Sequence, residues 1–372
     1  MKRIVFPGIA LIAVSYAFAR SSFGLFLPNI AESLGLSEAA SGAVGSLAYM
    51  AYCLALLSSA LLIYRIGSNQ TAEVAGLSAV LGMIGIAVAP NLFVLSAAVL
   101  VAGLSSGWTS PALSQTVSDG LPPAERDRGN TWINTGTGFG LVLSGPMALL
   151  FAGHWRFAYA LFALIGIGVM LWNKKAVPAS KELGERAPIS LWNMMKQWRK
   201  SVYLLSASFV VGVSSAIYWT FARSFLTEEY GMGSRGSVAF WVLMGAAGVL
   251  GGIAGGTINR CGIALSYRIS IVILAFSVAL ITVPFFSTIY LSAILFNIAY
   301  IFSTGVFIVW GTRIFAEAPA VGVSFSFLLL GIGQFLGSLI AGVVLEVLSY
   351  PMAFLLFAGI GLAGLAVPIK KE

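Results

Sequence analysis

The chain has 372 residues, of which 59% are hydrophobic and only 9% are charged, and its net charge is +8. Soluble globular proteins carry roughly 25% charged residues, so this composition excludes a soluble enzyme or binding domain and indicates an integral membrane protein. Because a transmembrane helix takes about 20 apolar residues, the length accommodates about a dozen spans and no additional soluble domain.

Apolar stretches separated by turn residues predict twelve transmembrane helices. They cover residues 4–27, 40–63, 71–89, 92–117, 130–152, 156–173, 202–226, 236–258, 266–284, 288–312, 320–345 and 350–368. The alternating short segments of a membrane barrel are absent, so the predicted fold class is all-α. Lys2 and Arg3 precede the first stretch as in a secretory signal, but its length and Arg20 within it identify a span that stays on the mature protein.

The basic residues predict the orientation of these spans. With the amino terminus inside, all but four of the 21 Lys and Arg residues fall in cytoplasmic segments. The exceptions are Arg20, Arg156, Arg223 and Arg235. The positive-inside rule therefore predicts a multi-pass protein of the cytoplasmic (inner) membrane with both termini in the cytoplasm. Topology explains the positive charge, and no nucleic-acid partner is expected.

A four-residue segment recurs in the two halves of the chain. Phe18-Ala19-Arg20-Ser21 lies in the first predicted span, and Phe221-Ala222-Arg223-Ser224 lies in the seventh. An arginine inside a span costs about 2.5–3.5 kcal/mol on insertion scales, so two at matching places need a shared reason. We interpret Arg20 and Arg223 as a pair of anion-binding groups.

Other residues recur at one common offset. Arg65 and Gly67 follow the second span, and Arg260 and Gly262 follow the eighth. The matching glycines of the fifth and eleventh spans are Gly136, Gly138, Gly331 and Gly333. These glycines fit either close helix packing or a role in proton antiport. The duplication predicts two pseudo-symmetric six-helix bundles.

Three regions follow from this duplication. Residues 1–173 form the amino-terminal six-helix bundle, and residues 201–372 form the carboxy-terminal one. Between them, the basic segment 174–200 is predicted to be a cytoplasmic linker that ends in an amphipathic helix. Such a helix would lie on the anionic lipids of the inner leaflet.

The chain resembles the major facilitator superfamily of secondary transporters over nearly its whole length. The resemblance rests on twelve spans in two halves, the basic central loop, and the loop motif Gly-x-x-x-Asp-Arg-x-Gly-Arg-Arg after the second span. Here Arg65 and Gly67 match that motif, while its first Gly, its Asp and its last two basic residues are absent. The second copy, 255–262, keeps both glycines and the arginine, with Asn259 in place of Asp. The resemblance implies the superfamily fold, and it implies a gating role for Arg65, Gly67, Arg260 and Gly262.

The resemblance also implies a substrate site. The first and seventh helices of the superfamily line a central cavity, and similar organic-phosphate antiporters hold their anion with an arginine on each. Arg20 and Arg223 are the matching residues, although Arg223 also lies near the outer end of its span, where Glu228 and Glu229 could pair with it. Weaker substrate-binding candidates on the other spans are Tyr49, Tyr52, Trp108, Asn134, Trp241, Asn297 and Gln334.

The sequence thus predicts a monomeric secondary transporter for a small organic anion, without a cofactor. Guanidinium groups suit carboxylate or phosphate because their planar forks donate two parallel hydrogen bonds. Because no acidic residue falls in the middle of a span, a cationic substrate would find no counter-charge. Two alternatives stay open: a proton-coupled efflux pump for amphipathic compounds, and a membrane sensor or enzyme without transport. Protons are a candidate coupling ion.

Overall fold

The computed structural model describes residues 2–151, 153–177, 198–248, 250, 254–315 and 319–369. Within these residues the regular secondary structure consists of helices, as predicted. The helices are α1 (Lys2–Leu34), α2 (Glu38–Ile66), α3 (Ser68–Val88), α4 (Leu92–Gly120), α5 (Pro123–Asn134), α6 (Gly136–Leu150), α7 (Trp155–Ala176), α8 (Trp198–Glu228), α9 (Ser234–Gly248), α10 (Ala254–Leu280), α11 (Phe286–Ile314), α12 (Pro319–Val347) and α13 (Tyr350–Ala363). A short 3₁₀ turn, Gly364–Ala366, follows α13.

Nine helices of the described residues are long and apolar enough to cross a membrane. The prediction of a multi-pass, all-α membrane protein is therefore confirmed. The other three predicted spans fall on shorter helices. The fifth is divided at Thr135 between α5 and α6, the eighth overlaps α9 and the first residues of α10, and the twelfth contains α13.

The end of α1 differs from the sequence prediction. The span was expected to end at residue 27, before Pro28, but the helix continues through this proline to Leu34. Proline removes one backbone hydrogen bond without preventing a long helix. The helix ends instead at Gly35, which has φ 64°, and the Leu36 N–H donates to the Ala31 carbonyl at 3.0 Å. Glycine adopts this left-handed conformation most readily, so Gly35 sets the end.

The middle of α1 is a π-helix. It covers Ala13–Ser21, between the α-helical segments Lys2–Ile12 and Ser22–Leu34. π-helical turns are rare and occur frequently at functional sites. The irregular segment of α1 is the one that carries Arg20.

The chain divides into two compact units. Unit 1 contains Met1–Leu36 and Leu47–Ile189, and unit 2 contains Ser37–Ser46 and Ser190–Glu372. The first residues of α2 thus belong to unit 2. The predicted regions 1–173, 174–200 and 201–372 had assigned them to the amino-terminal bundle. The amphipathic helix predicted at the end of the linker falls largely on residues outside the described ranges, so it stays a prediction.

Glycines of the repeated segments hold helices close together in each unit. A side chain at Gly136 would overlap the carbonyl oxygen of Ile9, so α6 and α1 meet backbone to backbone in unit 1. In unit 2, a side chain at Gly333 would overlap the carbonyl oxygen of Phe209, where α12 meets α8. Small residues allow such approach between membrane helices. This geometry favours the packing interpretation of the glycine repeat.

Candidate functional site

Arg20 lies among three tyrosine rings in unit 1. The carbon at the centre of its guanidinium is 4.7 Å from the ring centre of Tyr16, 4.9 Å from that of Tyr52 and 5.8 Å from that of Tyr49. Tyr16 precedes Arg20 by four residues, which places both on one face of α1. Tyr49 and Tyr52 come from α2. We call Arg20 and these three rings the tyrosine cage.

Small residues of α4 allow α4 to contact α2 at the tyrosine cage. A methyl group on Gly107 would lie 2.5 Å from the carbonyl oxygen of Tyr52, so α2 and α4 are in backbone contact there. One residue earlier, Ser106 accepts a hydrogen bond from Nη1 of Arg20 at 3.4 Å. The Ser106 hydroxyl itself donates to the Gly103 carbonyl at 3.0 Å. Its oxygen lone pairs are thereby directed to the guanidinium.

The charge of Arg20 is only partly balanced inside the protein. No carboxylate of the described residues forms an ion pair with it. The faces of aromatic rings carry partial negative charge and attract a guanidinium, but with less energy than a full anion. Arg20 is half-buried, so it keeps some access from outside the cage. The cage can therefore hold an anion, which would complete the charge balance.

Arg223 is more deeply buried than the sequence indicated. Its side chain is 3% exposed, and its Nε donates to the hydroxyl of Ser237 on α9 at 3.3 Å. The sequence suggested Glu228 and Glu229 as partners near the outer end of the span. In the structure, Glu228 accepts a hydrogen bond from the Tyr350 hydroxyl at 3.3 Å. Arg223 thus belongs to the interior of unit 2.

Aromatic side chains surround the helix turn before Arg223. Trp219 contacts Trp241, with ring centres 6.2 Å apart and nearly perpendicular planes. Trp219 also contacts Phe296 at 5.5 Å and Tyr300 at 5.4 Å. We call these four residues the aromatic cluster. It joins α8, α9 and α11.

Two amide side chains predicted from the sequence border this cluster. Asn297, 1% exposed, donates from Nδ2 to the Met244 carbonyl at 2.6 Å. Gln334, 2% exposed, donates from Nε2 to the Tyr300 hydroxyl at 3.0 Å. The structure thus brings Trp241, Asn297 and Gln334 into one region of unit 2.

The remaining predicted residues of unit 1 lie apart from the cage contacts. Trp108 is half-buried and donates from Nε1 to the Ser58 hydroxyl at 2.9 Å. Asn134 is exposed at the last position of α5. Neither contributes a hydrogen bond or ring contact to Arg20 in the described part of the chain. Their role in substrate binding stays a prediction.

The two predicted gating loops share one backbone conformation. Gly67, between α2 and α3, has φ 85° and ψ 164°, and Gly262, at a break within α10, has φ 77° and ψ 165°. Only glycine adopts this region freely. Arg65 is exposed in the last turn of α2. The side chain of Arg260 is outside the described part of the chain, so the gating role of these residues stays a prediction.

Sequence reasoning missed Tyr16, Ser106, Trp219 and Ser237. A signal for two of them was present, because Tyr16 and Trp219 each precede their arginine by one helical turn. The serines carried no such signal. Among the described residues, no group of His, Cys, Asp and Glu side chains could hold a metal ion.

Comparison with known proteins identifies relatives in sequence and fold. A family model described as Major Facilitator Superfamily matches residues 9–321. The hexuronate transporter of Bacillus subtilis (strain 168) is 24% identical over 286 residues, which cover 70% of this chain and 67% of that protein. A point mutant of the nucleoside transporter NupG superposes with a TM-score of 0.81 at 16% identity, covering 98% of both chains. A POT family transporter in complex with 5-aminolevulinic acid also gives 0.81, at 12% identity, covering 98% of this chain and 94% of that one.

Proposed function

The chain belongs to the Major Facilitator Superfamily, as a membrane transporter rather than an enzyme, and we propose that it moves a small organic anion. It works as a secondary transporter by alternating access, with its substrate site open to one side of the cytoplasmic membrane at a time. The tyrosine cage is the observation that carries this proposal. Its guanidinium binds the negative group of the substrate.

The electrostatics of the cage favour an anionic substrate. A charged residue within a membrane span is costly, and such residues usually pair with a partner or serve a transported substrate. Arg20 has three ring faces and one hydroxyl, which leave guanidinium N–H donors available for a carboxylate. A cationic substrate would meet repulsion from Arg20 at the same place. The cage therefore supports an organic anion over a lipophilic cation.

The substrate class is a carboxylate that resembles a sugar acid. The hexuronate transporter of Bacillus subtilis, by its name, handles a six-carbon sugar acid, and this chain is 24% identical to it. A planar guanidinium binds a carboxylate through two parallel hydrogen bonds, which a lysine ammonium does not reproduce. The name of the relative and the geometry of the guanidinium thus both favour a carboxylate as the group that Arg20 binds.

Replacement of Arg20 tests the proposal. The full chain is purified in detergent, and affinities for glucuronate and for a lipophilic cation are measured by titration calorimetry. We expect wild type to bind glucuronate and Arg20→Lys to bind it at least tenfold more weakly, because the charge remains but the fork is lost. Transport into proteoliposomes should fall in parallel.

Arg156→Lys is the matched control. Arg156 contacts the Ala89 carbonyl at 2.8 Å and the Ser33 hydroxyl at 3.2 Å at another place in unit 1. Its replacement should leave the affinity for glucuronate unchanged. Binding of the lipophilic cation in place of glucuronate would contradict the proposal and support the efflux alternative. Full affinity of Arg20→Lys for glucuronate would contradict the role of Arg20 in the proposal.

We also propose that both termini and residues 174–200 lie in the cytoplasm, on the basis of the charge asymmetry. The two cysteines of the chain, Cys53 and Cys261, are first replaced. An impermeant thiol reagent added to intact cells should then label Ser37→Cys or Gly233→Cys and should leave Ser180→Cys unlabelled. Labelling of Ser180→Cys would reverse the topology.

A further inference from the structure

A small polar pocket lies at one end of unit 1 and shares no residue with the tyrosine cage. Its volume is about 30 Å³, which is enough for one water-sized group. Side chains of α1, α3, α4 and α7 line it, and the polar ones are Asn69, Glu73, Thr116, Asn173 and Lys174.

Asn173 has a buried acceptor without a partner at this pocket. Its side chain is 7% exposed, and Nδ2 donates to the Pro7 carbonyl at 2.9 Å and to the Val169 carbonyl at 3.1 Å. Because carbonyl oxygens only accept, the amide nitrogen must face both of them, and Oδ1 remains. Oδ1 has no hydrogen-bond partner among the described residues. More than 90% of buried polar groups have one, so this oxygen requires a donor from outside the protein.

A loose ion pair borders the same pocket. Nζ of Lys174 lies 3.7 Å from Oε2 of Glu73, which is beyond hydrogen-bond distance. Lys174 is mostly exposed and Glu73 is partly exposed, so the pair adds little to stability. Both charges therefore remain able to bind a ligand. The pocket offers one negative group, one positive group and one buried neutral acceptor.

Exposed apolar side chains continue from this ion pair along two neighbouring helices. Leu77 follows Glu73 by four residues on α3, and Leu171 precedes Lys174 by three residues on α7. Each leucine thus shares a helix face with its charged residue, and both leucines are exposed. In a membrane such side chains face the acyl chains of lipids. The ion pair then lies at the level of the headgroups, at the end of unit 1 that the proposed topology assigns to the cytoplasmic leaflet.

From this geometry we propose that the pocket binds the headgroup of a phospholipid with a primary ammonium group, as in phosphatidylethanolamine. The ammonium donates to Oδ1 of Asn173 and to the carboxylate of Glu73. The phosphate pairs with Lys174, and the acyl chains lie along Leu77 and Leu171. A metal ion would meet repulsion from Lys174, whereas a zwitterionic headgroup matches both charges. This site is independent of the transported substrate.

The proposal has a consequence for lipid selectivity. Phosphatidylcholine carries the same phosphate and the same positive charge, but its nitrogen bears three methyl groups and no N–H. It cannot donate to Oδ1 of Asn173, and its larger nitrogen group does not fit a pocket of about 30 Å³. Phosphatidylethanolamine and phosphatidylcholine with identical acyl chains are therefore a matched pair of probes.

Native mass spectrometry of the full-length protein in detergent measures the affinity for each lipid. We expect wild type to prefer phosphatidylethanolamine by about fivefold or more, because hydrogen bonds from a charged donor are lost with phosphatidylcholine. Glu73→Gln should remove most of this preference, since a neutral amide does not attract the ammonium. Lys174→Gln should weaken the binding of both lipids alike, since the phosphate is common to both.

Lys175→Gln is the matched control, because Lys175 is the exposed neighbour of Lys174 on α7. It should change neither affinity. The melting temperature without lipid should stay the same in all three variants, because the exposed ion pair contributes little to folding. Equal affinity of wild type for the two lipids, or an unchanged preference in Glu73→Gln, would overturn the proposal and leave the pocket to an ordered water molecule.

Soluble phosphoethanolamine distinguishes a lipid site from a site for a free zwitterion. It carries the same two charged groups without acyl chains. Since apolar contacts with the chains contribute to lipid binding, phosphoethanolamine at the concentration of the lipid should not displace phosphatidylethanolamine. Displacement at equal concentration would overturn the lipid assignment and indicate a soluble ligand.

Discussion

The two repeated arginines share a four-residue segment but not an environment. Arg20 lies on a π-helical segment, half-buried among three tyrosine rings and Ser106. Arg223 lies on a regular α-helix, 3% exposed, with Ser237 as a hydrogen-bond partner. The duplicated segment therefore determines where an arginine sits along its helix. Side chains from neighbouring helices determine what the arginine can bind.

Two backbone features outside these helix segments, by contrast, occur in both units. Gly136 and Gly333 each meet a carbonyl oxygen of the facing helix, and Gly67 and Gly262 share one backbone conformation. Helix packing tolerates little change at such positions. Side chains that face a substrate are free to differ once the backbone is in place. The comparison separates glycines that are required by the backbone in both units from side chains near the arginines that differ between the units.

The largest contrast is expected from removing each arginine in turn. Arg20→Ala should weaken glucuronate binding by about 2–5 kcal/mol, because a desolvated charge pair with the substrate is lost. Arg223→Ala should weaken it less, because Arg223 is only 3% exposed and is less accessible to a substrate than the half-buried Arg20. Calorimetric titration of both variants measures the difference. A larger effect of Arg223→Ala would assign the main anion site to unit 2.

The glycine contacts should respond equally in the two units. Gly136→Ala and Gly333→Ala each place a methyl group against a backbone oxygen that cannot rotate away. Overpacking of this kind costs about 1–3 kcal/mol, and we expect the upper part of that range. Thermal unfolding in detergent measures the loss. A loss in one unit only would show that these two helix contacts differ in packing strength.

The sequence predicted the features that depend on composition and spacing. The spans, the glycine pairs and the place of Arg20 within α1 all follow from local patterns. The π-helical segment of α1, the break at Thr135 and the passage of α1 through Pro28 did not follow. Each of these depends on packing with other helices, which overrides the local preference of the chain.

The candidate site was predictable in part. Tyr49 and Tyr52 were expected, and the structure places both beside Arg20. Their approach depends on backbone contact between α2 and α4 at Gly107, a long-range contact that one sequence does not reveal. Ser106 and Ser237 were missed for the same reason. A serine in a membrane helix is common, and only its neighbours give it a function.

Gly67→Ala and Gly262→Ala should each destabilise the protein by about 1–2 kcal/mol, because a side chain is strained in this backbone region. Equal losses are expected, since the two conformations differ by only 8° in φ and 1° in ψ. Gly168→Ala is the control, because open space surrounds that glycine within α7. It should be neutral or slightly stabilising. Melting temperatures of the three variants decide whether strain or mere loss of glycine is responsible.

The smallest expected effect concerns the ring that precedes each arginine by one turn. Tyr16→Leu removes a ring face 4.7 Å from the Arg20 guanidinium and should lower stability by about 0.5–1 kcal/mol. Tyr16→Phe retains the face and should lose less. In unit 2 the ring of Trp219 packs on three other aromatic rings, so Trp219→Phe retains most of that packing and should leave the affinity for glucuronate unchanged. Tyr16→Leu should weaken glucuronate binding, because Arg20 is held less firmly. Thermal unfolding and the affinity for glucuronate are measured for all three variants.

Substitutions at Tyr16 and at Trp219 should therefore have different effects. If Trp219→Phe weakened glucuronate binding as strongly as Tyr16→Leu, the contrast between a ring that holds an arginine and a ring that packs on other rings would be wrong. If Tyr16→Leu and Tyr16→Phe lowered stability equally, the Tyr16 hydroxyl, and not its ring face, would hold Arg20 in place. The cation–π account of the tyrosine cage requires Tyr16→Leu to be less stable than Tyr16→Phe.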